Sequence, residues 1–157
     1  MNIRIGTYTE LSDAFAELRR KVFIDEQGVP KGEVFDELDF EAVHIVLYDN
    51  DAPVATARII KENDSWRIGL VAVDESKRGQ HLGVKVMQSA IEYVNANGGK
   101  VISLTAQQQV SGFYQKLGFA QCGEAEVFES GFVLIPMKLD LTYDMGCNNH
   151  APPRVNE

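Results

Sequence analysis

Apolar residues recur at a period of two along much of the first half of the chain and at a helical period in two later stretches. Ile3-Arg4-Ile5-Gly6-Thr7-Tyr8 alternates as a first strand, and Ser12-Asp13 offers a cap to a helix carrying Phe15, Leu18 and Val22 on one face. Gly28-Val29-Pro30 ends that helix. The β-branched runs Val43 to Tyr48 and Val54 to Ile60, joined by Asp49-Asn50-Asp51-Ala52-Pro53, predict a hairpin, and Glu62-Asn63-Asp64 turns the chain into a third strand, Trp66 to Val73. Leu82, Val86, Met87, Ala90, Ile91 and Val94 then form one apolar arc opposite Lys85, Gln88, Ser89 and Glu92, and Asn97-Gly98-Gly99 stops that helix. Lys100 to Thr105 predicts a buried strand, Val110 to Leu117 a short helix ended by Gly118, and Val127 and Phe132 to Leu139 two closing strands. Antiparallel strands around one strand-helix-strand crossover give an α+β sheet rather than a doubly wound one.

The join between the third strand and the long helix carries the first chemical signal. Val71-Ala72-Val73 runs through Asp74-Glu75-Ser76-Lys77 into Arg78-Gly79-Gln80-His81-Leu82-Gly83. The first N–H groups of a helix have no intrahelical partner and the helix dipole is positive there, so such a turn suits a phosphate, with Lys77 and Arg78 beside it. An ordinary surface junction has the same features, so the turn alone does not decide.

Composition narrows the classes. The chain has 157 residues, 45% of them hydrophobic, enough for one domain with its own core. That domain is expected over residues 1–141, with 142–157, including Pro152-Pro153, as a C-terminal tail. Cys122 and Cys147 form no Cys-x-x-Cys pair, and no zinc site or disulfide framework is written in the sequence. With no long apolar segment, the expectation is a cytoplasmic protein with no membrane partner. A net charge of −8, from 23 acidic and 15 basic side chains, argues against nucleic acid. Acid concentrates between Asp25 and Glu41, either as a solvated loop or as a lip that attracts a cationic substrate. Arg58, among the small and apolar residues of its strand, suits either a substrate carboxylate or phosphate or an internal pair with one of those acids, the pair being favoured.

Three segments, in order and at matching spacing, resemble the GNAT superfamily of acyl-CoA N-acetyltransferases: Val71-Ala72-Val73, Arg78-Gly79-Gln80-His81-Leu82-Gly83, and Phe113-Tyr114-Gln115-Lys116-Leu117-Gly118-Phe119. Val22-Phe23-Ile24-Asp25-Glu26-Gln27-Gly28-Val29-Pro30, Asp36-Glu37-Leu38-Asp39 and Ala42-Val43-His44 are similar to its ElaA-like branch. The resemblance implies a mixed, mostly antiparallel, splayed sheet of about six to seven strands flanked by about four helices. It implies acetyl-CoA as cofactor, held by Val71, Ala72, Val73, by the turn from Arg78 through Gly79, Gln80, His81 and Leu82 to Gly83, and by Gln107. Tyr114 is implied as the acid that protonates the departing thiolate. The turn departs from the family at His81, where an inner glycine is usual; a histidine there keeps its N–H and adds a side chain that must point away if φ is negative.

The strand also lacks the Glu that many relatives carry before Val-Ala-Val, since Gly69 and Leu70 stand there. Water relayed to Glu26 or His44 is the expected proton acceptor, and Arg58, Glu26 and Asp36 are the expected substrate contacts. The leading expectation is transfer of an acetyl group to the primary amine of a small molecule, with a homodimer left open. The alternatives are a noncatalytic acyl-CoA sensor on the same fold, a protein or peptide amine acetyltransferase, and an acyl-homoserine-lactone synthase, against which the phosphate turn and Tyr114 weigh.

Overall fold

The computed structural model describes residues 1–129 and 131–142. Ser130, the tail expected from 142 onward except for Thr142 itself, and Cys147 lie outside the described residues.

Strand β1 (Asn2–Gly6) leads into helix α1 (Tyr8–Arg19). The helix starts earlier than Ser12-Asp13 suggested, because Thr7 and Glu10 form a capping box: the Thr7 side chain accepts from Glu10 N–H and Glu10 accepts from Thr7 N–H. A π-helical turn, Arg20–Glu26, prolongs α1, and a short helix α2 (Lys31–Val34) and a 3-10 turn (Glu37–Phe40) follow. The strands β2 (Val43–Asp49), β3 (Ala52–Glu62) and β4 (Ser65–Val73) form the expected meander. Asn50 and Asn63 take the left-handed conformation (φ +56° in each) that their tight turns require. Helix α3 (Leu82–Ala96), strand β5 (Val101–Gln107) and helix α4 (Ser111–Lys116) come next. The chain closes with β6 (Ala120–Gln121), β7 (Glu126–Val127) and β8 (Val133–Asp140). The two-residue β6 is too short to leave a pattern in sequence, and brings the count to eight strands among the described residues.

The sheet runs β1-β2-β3-β4-β5-β8-β6, with β7 also paired to β8, and every pairing is antiparallel except β4 with β5. Helix α1 covers one face through Leu11 and Phe15 against Val46, and α3 covers the other through Val86, Met87, Ala90 and Val94 against Ile45, Ala57, Ile59 and Ile68. Period-two alternation on β2 serves both layers, with Ile45 and Leu47 toward α3 and His44 and Val46 toward α1.

Two irregularities in β4 prepare the site. Its parallel pairing with β5 is confined to Trp66–Ile102 and Arg67–Ser103, after which the two strands part. Opposite β3 the register jumps from Arg58–Gly69 to Thr56–Ala72, so Leu70 and Val71 bulge against Ala57 alone. Leu70 carries the bulge with φ +49°.

Candidate active site

The parting strands open a cleft of about 1640 Å³. One wall is β4 from Ile68 to Val73, the other β5 from Leu104 to Gln107, and Phe113 and Tyr114 of α4 also line it. Residues 22–34 border it from one side and Phe128, Glu129, Phe132 and Leu134 from another. The bulge matters here, because it interrupts the β3–β4 ladder and frees backbone groups around Leu70 and Val71 from regular pairing.

The turn between β4 and α3 sits at one end of the cleft. Arg78, Gly79, Leu82 and Gly83 line it, whereas Gln80 and His81 are exposed and stand outside the lining. Helix α3 begins at Leu82 and receives no side-chain cap, so the N–H groups of its first turn lack intrahelical acceptors. His81, the N-cap residue, has φ +62°, so the condition of a negative φ is not met. The histidine instead adopts the left-handed backbone that glycine would take without strain, at a cost of about 1–2 kcal/mol. His81→Gly is therefore expected to raise unfolding stability by about 1 kcal/mol, and His81→Val to lower it, in urea titrations. Gly83 has a packing reason: a Cβ there would lie 3.2 Å from the Phe113 ring, so its smallness lets α3 close onto α4.

Tyr114 is 8% exposed and packs edge-to-face on Phe113 and Phe119, with ring centroids 5.0 and 6.1 Å away. Burial pushes its phenol up to about 12, so it is protonated at neutral pH. Among the described residues its hydroxyl has no hydrogen-bond partner in the protein. Gln107, on the opposite wall, donates from Nε2 to Gln27 Oε1 (2.8 Å) and accepts from Gln109 Nε2 (2.7 Å).

Glu26 lines the cleft but is engaged: its carboxylate takes two bonds from Arg78, Nη1 to Oε2 at 2.7 Å and Nη2 to Oε1 at 2.8 Å. That pairing lowers the Glu26 pKa and raises that of Arg78, so Glu26 is a weak proton acceptor in this arrangement. His44 is no base for the cleft. It is fully buried on the α1 face, stacked on Phe15 with centroids 4.1 Å apart, with Nε2 donating to Asp39 O at 2.9 Å. Arg58 and Asp36 are likewise not substrate contacts, since neither lines the cleft and they pair with each other at 2.7 Å. Arg58 also reaches Asp39 (3.1 Å), which Arg19 holds from the other side at 2.8 Å. The internal pair favoured for Arg58 is thus one half of a buried Arg-Asp-Arg bridge.

His44, bonded to the backbone of Asp39 beside that bridge, carries a pH dependence. Burial lowers the His44 pKa, helped by the nearby Arg19 and Arg58 charges and opposed by the hydrogen bond to Asp39 O. The neutral ring is the native form, so its contribution to stability is complete above about pH 6.5 and is lost as pH falls below that value. Urea midpoints measured from pH 8 to 5 are expected to fall for the parent and to fall less steeply for His44→Gln.

Sequence reasoning gave no role in the site to Leu70, Phe23, Glu33, Phe128 or Glu129, all of which line the cleft. Gly69 inside a strand pattern was the available signal for the bulge. Glu33 lay hidden in an acidic run in which Glu26, Asp36 and Asp39 are each paired with an arginine.

Comparison with known proteins places the chain. Residues 14–141 match the acetyltransferase (GNAT) domain family. The chain is 36% identical over 132 residues to the uncharacterized N-acetyltransferase YjcF of Bacillus subtilis, a match covering 83% of this chain and 93% of the relative. It is 36% identical over 121 residues to protein ElaA of Escherichia coli, covering 74% and 78%. The crystal structure of Escherichia coli ElaA superposes with a TM-score of 0.80 at 30% identity, covering 88% of this chain and 99% of that one. An aminoglycoside 6'-N-acetyltransferase complexed with coenzyme A shares the fold at a TM-score of 0.72 and 18% identity, covering 90% and 97%. A match over most of the chain, with a splayed β4–β5 sheet to go with it, makes this protein a member of the GNAT acetyltransferase family, in its ElaA-like branch.

Proposed function

We propose that the protein transfers an acetyl group from acetyl-CoA to the primary amine of a small molecule. The observation that carries this reading is a single cleft with a helix start that has no side-chain cap at one end and, in its wall, a buried phenol with no hydrogen-bond partner among the described residues. Phosphate groups fit the first-turn N–H groups of α3 and the N–H of Gly79, and an extended arm fits between β4 and β5 with the Gln107 amide beside it. Acetyl-CoA supplies the acetyl thioester whose carbonyl the amine attacks.

Backbone N–H groups released by the bulge around Leu70 and Val71 suit a developing oxyanion, since fixed dipoles in a dry site cost no reorganisation. Tyr114 donates its hydroxyl hydrogen to the departing sulfur, and the proton that the attacking nitrogen sheds on becoming an amide restores the phenol, so that coenzyme A leaves as the thiol. Its raised pKa does not forbid this, because the desolvation that weakens the phenol as an acid also makes a thiolate in the same pocket more basic. No carboxylate on β4 takes the amine's proton, so the acceptor binds as its free base and turnover rises with pH through the acceptor's own ionisation.

The acidic balance of the chain supports an amine acceptor and disfavours nucleic acid. Among the described residues no helix is long and apolar enough to cross a membrane, which fits our placement of the reaction in the cytoplasm.

A thiol-release assay over polyamines, amino sugars, amino acids and peptides tests the proposal. Release that needs both acetyl-CoA and a small amine is expected. Coenzyme A binding with no release for any amine would instead make the protein an acyl-CoA sensor, and release with peptides alone a protein acetyltransferase.

A further inference from the structure

Among the described residues Arg78 is the only Lys or Arg in the lining of the cleft, and it lies at the phosphate end. Its guanidinium is used along two edges. The Nε and Nη2 edge donates to Val73 O at 3.3 and 3.1 Å, which anchors the group to the last residue of β4. The Nη1 and Nη2 edge is taken by Glu26, 52 residues away in the chain, in the paired geometry that a phosphate would also use. Glu26 sits at the end of the π-helical turn Arg20–Glu26, a rare element that is frequent at functional sites. The pair is partly exposed, Arg78 at 42% and Glu26 at 30% of side-chain area, so breaking it costs little.

We propose that Glu26 is a built-in competitor for the cofactor's pyrophosphate, a carboxylate that holds Arg78 until a phosphate displaces it. Because Val73 O holds the other edge, Arg78 stays in place during the exchange and only its anion changes. Glu26 then swings clear, since leaving it beside a phosphate would set two like charges together. Its role is to set cofactor affinity through Arg78, which makes it a positioning residue rather than a catalytic one. The inference rests on the proposed reading of the 78–83 turn.

The test is isothermal titration of the purified protein with coenzyme A and, separately, with pantetheine, which has no pyrophosphate. Glu26→Gln removes the competing charge and is expected to tighten coenzyme A about three- to tenfold while leaving pantetheine unchanged. Glu26→Ala, checked for an unchanged melting curve, is expected to do the same. In an Arg78→Gln background the Glu26→Gln gain is expected to shrink to about twofold or less. A purely structural clasp predicts the reverse sign: loosening the turn would weaken coenzyme A. Weaker or unchanged coenzyme A binding in both Glu26 variants, or equal tightening of pantetheine, overturns the competitor role. If the parent protein binds no coenzyme A at millimolar concentration, the acetyl-CoA reading falls, and this inference with it.

Discussion

Tyr114→Phe is expected to lower kcat by about 10²- to 10⁴-fold on the best amine acceptor, with little change in KM for acetyl-CoA. The substitution deletes one oxygen from a ring that is 8% exposed and wedged between Phe113 and Phe119. A phenylalanine fills the same space, and no hydrogen bond within the protein is lost among the described residues, so stability is expected to hold or rise slightly. That contrast makes the variant informative. A fall in turnover with an intact melting curve isolates the hydroxyl's chemistry, and stopped-time thiol release against pH reads it directly. With the phenol pushed up to about 12, the parent's rate is expected to climb with acceptor deprotonation and to show no descending limb below about pH 10. A Tyr114→Phe enzyme that matches the parent across that range would remove Tyr114 from the mechanism.

Asp39→Asn is expected to cost about 3–5 kcal/mol of unfolding free energy, measured by urea denaturation at pH 7. Asp39 is 4% exposed in its side chain and lies between Arg19 (1%) and Arg58 (10%). Burial raises its pKa, but hydrogen bonds and charge from the two arginines outweigh that and hold the carboxyl below its usual value. Neutralising it leaves two buried cations with one remaining carboxylate, Asp36, bonded to Arg58 only. The cluster has little slack, since Arg19 Nε and Nη2, Arg58 Nε and His44 Nδ1 already lack partners among the described residues. Against a total of about 5–15 kcal/mol, such a loss leaves a marginal protein. The double variant Arg19→Met with Asp39→Asn is expected to recover part of it, because one uncompensated charge disappears with its partner. A loss below about 1 kcal/mol for Asp39→Asn would show that the bridge is hydrated and contributes little.

The same bridge connects stability to the cleft. Arg19 Nη1 also donates to Val34 O at 3.2 Å, and Val34 lines the cleft. The 31–40 segment, of which Glu33 and Val34 line the cleft, is thereby pinned, although it contains only a four-residue α-helix and a 3-10 turn. Short elements of this kind have few internal bonds, so their position depends on side chains that reach in from α1 and β3.

Much of the architecture was legible in the chain because it is local. The alternation from Val43 to Tyr48, the arc from Leu82 to Val94 and the stop at Asn97-Gly98-Gly99 each lie within consecutive residues, and the elements formed there within a residue or two. The turn before α3 and Tyr114, which the structure brings to one cleft, stood out for the same reason, as contiguous motifs at a fixed spacing. Helix α1 was misplaced at its start because two cap signals compete in Thr7 to Asp13, and only the chain's exit from β1 selects Thr7.

The fates of the charged residues could not be read this way. A strand's period of two assigns His44 and Arg58 to a face but does not say whether α1 or open cleft covers that face; here α1 and the 36–40 segment cover it, so Arg58 joined a buried bridge and His44 stacks on Phe15 with its Nε2 on Asp39 O. Glu26 and Arg78, far apart in sequence, met only because the π-helical turn folds back over the end of β4. Sequence determined the elements and the two motifs, whose physics is contained in neighbouring residues. Tertiary structure decided the bulge at Leu70, the splay of β4 from β5 and the choice of partner for every charge, because those depend on register and on which segment happens to cover which face.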